Sequence, residues 1–413
     1  MITSTAFNSI IIFLKMLFGF MVTKYVALVG GPSAIAYLGQ IQSAVTIFQN
    51  LPSGISNGIV ANTPESKKKS QLGRLWFTAF GFGIFIFFIL ILSLLFKDSI
   101  SGLFSNSDGF SRYYVILVLS FPFYYLYSIS NAINTSQEKF NIYFLSNIVS
   151  MVVYVTLMSC FKLIYDFGDI YLWLILFFPF CSILVFSLTL YDNYRNFSLA
   201  FDLKIISCLS KYFGLALVSA IYTPLIVVAV RNILFEYFGS EITGYWQAMW
   251  RISEIYTSVL MLSLSTIILP KFARASNRVE ILEVFKKSLM LVMPMYCFAS
   301  VLILSFDSFV FELLYRDGFK IYPSALLVQV IGDFFKIICW LVTYYLLSKS
   351  KLLILLVLEV FFGLFFIVSS WFSLRLELGI NGISYSYLLT QLLCTACLFY
   401  VLNKFLMKVD HDI

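Results

Sequence analysis

The chain consists of apolar runs of about 20 residues that follow one another along its whole length, separated by short polar connections. A run of that length is what an α-helix needs to cross the hydrocarbon core of a bilayer. Only 12% of the residues are charged, whereas an ordinary soluble domain has about 25%. We therefore predict an all-α integral membrane protein.

The runs predict about twelve transmembrane helices in two six-helix lobes. Their approximate bounds are 5–29, 34–61, 74–96, 111–133, 141–163, 170–191, 205–230, 242–269, 285–306, 322–347, 352–374 and 380–406. The polar connection from Asp192 to Lys204 lies near the midpoint, which predicts an N-terminal lobe of residues 1–200 and a C-terminal lobe of residues 201–413. Pro64 and Pro270 open the basic loops after spans 2 and 8, and their 206-residue separation suggests a parallel repeat.

Charge in the loops predicts the orientation. Most of the 28 lysines and arginines lie in alternate loops, on the same side as the two termini. The positive-inside rule then places both termini in the cytoplasm. The first span carries Lys15 and lacks a cleavage signal, so we interpret it as a retained helix. Topology accounts for the basic loops, and no nucleic-acid partner is needed to explain them.

Two spans carry charged side chains at matching spacing. In the stretch Gly244–Pro270 the polar residues stand at offsets of zero, four, seven and eleven and share one helical face: Gln247, Arg251, Glu254 and Ser258. Span 10 repeats the spacing with Gln329, Asp333, Lys336 and Trp340. A charge in a lipid-crossing helix costs about 2.5 to 3.5 kcal/mol, so these groups are expected to face a protein interior or a water-filled cavity. Their opposite charge order predicts cross-helix pairs of Arg251 with Asp333 and of Glu254 with Lys336.

The first two spans contain two lysines and no carboxylate. That charge sign suits an anion such as a pyrophosphate and disfavours an organic cation. The candidate anion ligands are Lys15, Arg251, Lys24 and Arg231. For Lys24 the alternative is a side chain that reaches the membrane interface.

A neutral polar face on span 2 suits the hydroxyl groups of sugars. The candidate glycan-lining residues are Gln42, Thr46, Gln49, Ser53 and Asn57, together with Gln247. Hydrogen bonding between helices is the alternative interpretation of the same face. Glu254, Asp333, Lys336 and Glu359 are candidates for ion coupling or for a charge network. Glu359 stands out because positions 355, 356, 362 and 363 carry no charge.

Most enzyme chemistries find no support in the sequence. The single histidine is His411, in the C-terminal tail, and no Gly-rich phosphate loop is present. No loop on the outer side is long enough for a catalytic domain. We predict a transporter without metal or cofactor, not an enzyme.

Two stretches carry a family resemblance. The segment 8–58, with FLKMLFGFMVTKYVALVGGPSAIAYLGQ, and the segment GYWQAMWRISEIYTSVLMLSLSTIILP resemble the Wzx-type O-antigen and enterobacterial-common-antigen flippases. These are polysaccharide biosynthesis proteins of the multidrug/oligosaccharidyl-lipid/polysaccharide exporter superfamily. The resemblance implies two six-helix lobes in an inverted V around a central cavity. It also implies that cations in the cavity hold a pyrophosphate, and the matching positions are Lys15, Lys24 and Arg251.

The same resemblance implies a function in lipopolysaccharide assembly. The cargo would be an undecaprenyl-pyrophosphate-linked oligosaccharide, such as an O-antigen repeat unit. It would move from the cytoplasmic to the periplasmic leaflet of the bacterial inner membrane by alternating access. The implied partners are membrane lipid and the polymerase and chain-length regulator of the same pathway. The alternatives are a cation or drug antiporter of the same superfamily and an integral-membrane polysaccharide polymerase.

Overall fold

The computed structural model describes most of the chain. The described residues are 2–63, 69–104, 109–137, 139–164, 170–193, 200, 202–275, 277–316, 319–349 and 351–411. For residues 2–13, 15, 69–71, 140, 158–164, 170, 173, 215, 262–267, 269, 270 and 408–411 the description covers the backbone alone.

The described ranges are helical almost throughout and contain no strand, so the predicted all-α fold is confirmed. The helices are α1 (Ile2–Asn50), α2 (Ser53–Asn62), α3 (Lys69–Ser93), α4 (Lys97–Phe104), α5 (Phe110–Ser136), α6 (Phe140–Ile164), α7 (Ile170–Asn193), α8 (Leu203–Arg274), α9 (Arg278–Ser305), α10 (Asp307–Leu314), α11 (Pro323–Ser348), α12 (Leu352–Arg375) and α13 (Gly379–His411).

Local sequence explains several helix starts. Asn277 caps α9, since its side chain accepts a hydrogen bond from the backbone N–H of Glu280. Pro323 opens α11, where its fixed φ fits the first turn and its missing N–H leaves no helical bond unmade.

Nine segments within the described residues are long and apolar enough to cross a membrane. Two of them, Met16–Asn62 and Leu203–Met261, each cover two of the spans predicted from the sequence. A shorter apolar helix, Asn141–Leu157, corresponds to the fifth predicted span. The described helices therefore account for the twelve predicted spans, and the protein is a multi-pass membrane protein.

Two glycines break the longest helices. Gly31 has φ 65° and Gly239 has φ 76°, backbone angles that glycine adopts without the steric penalty of a Cβ. Gly31 lies between the predicted spans 1 and 2, and Gly239 lies between the predicted spans 7 and 8. The two glycines lie 208 residues apart, close to the repeat spacing that the loop prolines suggest.

The first compact unit consists of Met1–Val22 and Leu38–Val228. Its core is built on α5, which packs against α2, α3 and α7. Tyrosine hydroxyls join these helices through main-chain carbonyls: Tyr124 donates to Ile175 (2.6 Å) and Tyr125 donates to Ala79 (2.6 Å). Both hydroxyls are buried, so these bonds satisfy donors that would otherwise be costly in an apolar core.

The second compact unit consists of Thr23–Tyr37 and Ala229–Ile413. In its core α11 packs against α9 and α13, and α12 packs against α13. The segment around the Gly31 break therefore packs with the second half of the sequence. The division of the lobes at residue 200 stays a prediction.

Candidate functional site

Most of the predicted charged residues lie in the second unit, on α8 and α11. Arg231 is almost completely buried, with 1% of its surface exposed. Its Nε donates a hydrogen bond to Oε1 of Gln247 (2.9 Å), one of the predicted stripe residues. A buried guanidinium needs such partners, because leaving its donors unmade in an apolar interior is costly. The amide oxygen of Gln247 is thus hydrogen-bonded to Arg231.

Arg251 forms an ion pair on its own helix. Its Nη1 lies 3.2 Å from Oε2 of Glu254, and each side chain is about one-third exposed. The other carboxylate oxygen of Glu254 accepts a hydrogen bond from Nε1 of Trp250 (2.8 Å). Arg251 and Glu254 are therefore linked to each other and, through Trp250, to the aromatic residues around them.

Asp333 on α11 is fully buried and is surrounded by hydroxyl groups. Ser253 and Tyr256 of α8 both donate to its Oδ2, and Tyr387 of α13 donates to its Oδ1 (2.7 Å). Three donors satisfy this carboxylate without a cation. Asp333 thereby joins three helices of the second unit through hydrogen bonds.

Lys336 lies one turn along α11 from Asp333 and rests on aromatic rings. Its Nζ is 5.0 Å from the ring centre of Trp340 and 5.9 Å from that of Trp250. A lysine within about 6 Å of an indole face is attracted by the ring quadrupole. Trp250 in turn stacks on Trp246 (5.2 Å) and Phe366 (6.0 Å). The site therefore combines cations with broad aromatic faces.

The predicted cross-helix pairs are wrong. Within the described residues Arg251 pairs with Glu254, Lys336 rests on Trp250 and Trp340, and the α8 groups that reach Asp333 are Ser253 and Tyr256. The physical reason is that Ser253 and Tyr256 lie roughly 130° to 170° around α8 from the middle of the Arg251 stripe, so α8 turns a different face toward Asp333.

The two predicted lysines of span 1 differ in what the structure shows. The Nζ of Lys24 donates to the main-chain carbonyls of Glu312 (2.9 Å) and Leu313 (2.8 Å), in the last turn of α10. A cation there donates hydrogen bonds to carbonyls that have no partner within the helix. Its charge also interacts favourably with the negative end of the helix dipole. The side chain of Lys15 lies outside the described residues, so its anion-binding role stays a prediction.

The polar face of span 2 lies off the core of the first unit. Its apolar neighbours Ile41, Val45, Phe48 and Ile55 are buried in that core. The predicted glycan-lining residues Gln42, Thr46, Gln49 and Ser53 are half-buried, and Asn57 is exposed. Thr46 donates to the carbonyl of Gln42 (2.7 Å) within the helix. The face retains polar groups outside the core, and its contact with a glycan stays a prediction.

Glu359 is half-buried on α12 and has polar interactions of its own. Its role in ion coupling stays a prediction. Sequence reasoning missed the groups that hold Asp333, namely Ser253, Tyr256 and Tyr387. Ser253 and Tyr256 lie on another face of α8 than the charged stripe, so its helical spacing did not indicate them, and nothing in the sequence connects Tyr387 to Asp333.

A membrane chain of this architecture has known structural relatives. A multidrug resistance MATE family transporter of the MOP superfamily, in an inward-facing conformation, superposes with a TM-score of 0.79 at 12% identity, over 99% of this chain and 96% of that one. A MOP superfamily transporter from Pyrococcus furiosus, with a binding pocket of reverse polarity, gives a TM-score of 0.76 at 13% identity, over 98% and 95% of the two chains. The protein therefore has the fold of the MOP superfamily transporters.

Sequence comparison specifies the family within that fold. The model of the polysaccharide biosynthesis protein family matches residues 33–320, and the chain belongs to this family. The resemblance predicted from the two sequence stretches is thereby confirmed. Lipid III flippases from Escherichia coli (strain K12) and Shigella flexneri are each 26% identical over 164 residues, which is 40% of this chain and 39% of theirs. The match thus spans about two-fifths of the length of these curated relatives.

Proposed function

We propose that the protein is a flippase for an undecaprenyl-pyrophosphate-linked oligosaccharide, such as an O-antigen repeat unit. It moves this cargo from the cytoplasmic to the periplasmic leaflet of the bacterial inner membrane, with both of its own termini in the cytoplasm. Membership of the polysaccharide biosynthesis family supports the class of cargo. The similarity to lipid III flippases supports the type of transport.

The observation that carries the proposal is the charge and aromatic content of the α8–α11 region. Three cations, Arg231, Arg251 and Lys336, stand against two carboxylates, and one of these carboxylates, Asp333, is held by hydroxyl groups. An excess of cations suits a pyrophosphate. The rings of Trp246, Trp250 and Phe366 stack on one another and are buried beside these cations.

The mechanism follows from these groups. Arg251 binds the pyrophosphate when it leaves Glu254, and Lys15 is the partner cation proposed for the first lobe. The polar face of span 2 solvates the glycan while the lipid tail stays in the bilayer. Rocking of the two lobes exposes the cargo to the opposite side. Glu254, Asp333 and Glu359 are the carboxylates through which an ion gradient would act.

The leaflet on which lipid-linked repeat units accumulate in a deletion strain tests the proposal. A flippase predicts accumulation on the cytoplasmic leaflet. A polysaccharide polymerase predicts accumulation on the periplasmic leaflet instead. A cation or drug antiporter predicts no accumulation, and drug resistance on overexpression. The polymerase and chain-length regulator are proposed partners downstream of the same step.

A further inference from the structure

A separate cavity of about 330 Å³ lies where α8 ends and α9 begins, and it shares no residue with the site described above. One part of its wall is apolar, with Ile268, Val284 and Leu291. The lining also includes three cations, Lys271, Arg274 and Lys287, and two carboxylates, Glu280 and Glu283. A cavity lined by both apolar side chains and cations suits a lipid headgroup and the start of its acyl chains.

The two carboxylates of the cavity already have donors. Glu283 forms an ion pair with Lys287, in which the lysine Nζ lies 2.6 Å from the glutamate Oε1. Glu280 accepts a hydrogen bond from the side chain of Asn277 (3.0 Å) at the start of α9. Lys271 and Arg274 are exposed, and within the described part of the chain neither has a carboxylate at ion-pairing distance. Two cations of the cavity therefore remain available for an anion.

An exposed apolar stripe leads away from the cavity along α9. It begins at Leu291, a residue of the cavity wall, and continues through Met295, Phe298 and Leu302 at offsets of four, seven and eleven, so all four share one face of the helix. α9 is long and apolar enough to cross a membrane, so this exposed face is suited to contact with lipid tails. The exposed apolar stripe of α9 thus begins at the wall of the cavity.

We propose that this cavity binds the headgroup phosphate of an anionic phospholipid. Lys271 and Arg274 contact the phosphate, and the acyl chains lie along the stripe from Leu291 to Leu302. Basic residues next to a membrane surface attract anionic lipids, and the attraction falls off within a Debye length. Beyond this general attraction, Lys271 and Arg274 in the cavity wall give the phosphate a defined position.

Thermal unfolding of the purified full-length protein, titrated with dioleoylphosphatidylglycerol or dioleoylphosphatidylcholine, tests the proposal. A ligand of the folded state raises the unfolding midpoint with its concentration. We expect phosphatidylglycerol to raise the midpoint of the wild type, and the double variant Lys271→Ala/Arg274→Ala to need roughly tenfold more of it for the same rise. Phosphatidylcholine gives the smaller rise in both proteins.

The double variant Lys204→Ala/Lys286→Ala is the matched control, because it removes two exposed cations outside the cavity. It should respond to phosphatidylglycerol like the wild type. Equal loss in both double variants would overturn the proposal, since general surface charge would then explain binding. It would also be overturned by an equal response to inorganic phosphate, or by a response to undecaprenyl pyrophosphate with none to phosphatidylglycerol.

Discussion

Asp333 is the residue whose surroundings are most demanding, since its carboxylate is fully buried and depends on three hydroxyl donors. Removing one donor costs the net free energy of one hydrogen bond. Removing the acceptor instead leaves several buried hydroxyl donors without a partner. The two kinds of substitution should therefore differ clearly in their effect on stability.

We predict that Tyr387→Phe lowers the free energy of unfolding by about 1 kcal/mol and that Asp333→Ala lowers it by roughly 3 kcal/mol or more. Thermal unfolding of the purified variants measures the difference. Tyr385→Phe is the control, because Tyr385 lies exposed on the same helix. Equal effects of Asp333→Ala and Tyr385→Phe would show that the hydroxyl cluster does not hold the carboxylate.

Arg251 is the residue on which the proposed cargo chemistry depends most. Its side chain is about one-third exposed and its ion pair is with the neighbouring Glu254, so its loss should leave folding intact. We predict that Arg251→Ala inserts at the wild-type level but abolishes surface glycan assembly, and that Arg251→Lys retains part of it. Immunoblotting of the membrane fraction and of surface glycan measures both. Arg375→Ala is the control, because it removes an exposed arginine. Full activity of Arg251→Ala would rule out the pyrophosphate role of Arg251.

Helical spacing in the sequence located the charged residues of the α8–α11 region but did not predict which groups they contact. Offsets of four, seven and eleven follow from helix geometry, so Arg251, Glu254, Asp333 and Lys336 were visible in the sequence. Whether Lys336 meets a carboxylate or an indole depends on side-chain rotamers and on the register between helices. Tyr387 reaches Asp333 from a third helix, and no local pattern reports such a contact.

At the scale of helices, close approaches depend on glycine. A Cβ on Gly332 would lie 2.7 Å from the ring of Tyr387, and a Cβ on Gly244 would lie 1.8 Å from the carbonyl oxygen of Pro32. The first glycine lets α13 bring Tyr387 to Asp333. The second lets α8 cross the segment that follows the Gly31 break, where Ser240 also donates to Ser33 (3.0 Å).

Gly332→Ala should therefore displace Tyr387 and weaken its hydrogen bond to Asp333. We predict a loss of about 1 to 3 kcal/mol of unfolding free energy, and little further loss when Tyr387→Phe is added, because the two changes act on one contact. Gly214→Ala is the matched control, since a Cβ there meets no atom within 4 Å, and it should be neutral or slightly stabilising. Strict additivity of Gly332→Ala and Tyr387→Phe would show that the glycine does not position the tyrosine.

The same elements show how far helix boundaries can be predicted. Gly30-Gly31-Pro32 combines two glycines with a proline and is a strong turn signal at the first break. A single Gly239 between Phe238 and Ser240 gives a weak signal. The helix resumes directly after each break, so spans 1 and 2 run on as α1 and spans 7 and 8 run on as α8. Apolar length alone predicted the membrane crossings well because lipid imposes that length on every helix.

At the scale of the whole molecule, the compact units do not follow the midpoint of the sequence. Residues 23–37 pack with the second half of the chain, next to the segment after Gly239. Composition and loop charge do not predict that residues 23–37 pack with the second half of the chain, because this packing depends on contacts between residues far apart in the sequence. Rocking of lobes divided at residue 200, as the sequence predicts, would require these two segments to separate during transport, whereas both segments belong to the same compact unit.

A reversible crosslink tests that requirement. In a variant without the native cysteines, Ser33→Cys/Ser240→Cys should form a disulfide under oxidation, since the two hydroxyl oxygens lie 3.0 Å apart. We predict that oxidation stops transport and that a reducing agent restores it. The single variants Ser33→Cys and Ser240→Cys should stay active under both conditions. Normal transport by the fully crosslinked protein would exclude separation of these segments.

The most direct test of the central claim is translocation of the purified cargo in proteoliposomes. Vesicles carrying an undecaprenyl-pyrophosphate-linked oligosaccharide are treated with an impermeant sugar-oxidising reagent, and the protected fraction is followed over time. The proposed function predicts that the wild-type protein makes the protected glycan accessible, and that Arg251→Ala vesicles stay close to protein-free vesicles. Protection that is the same with and without the wild-type protein would contradict it.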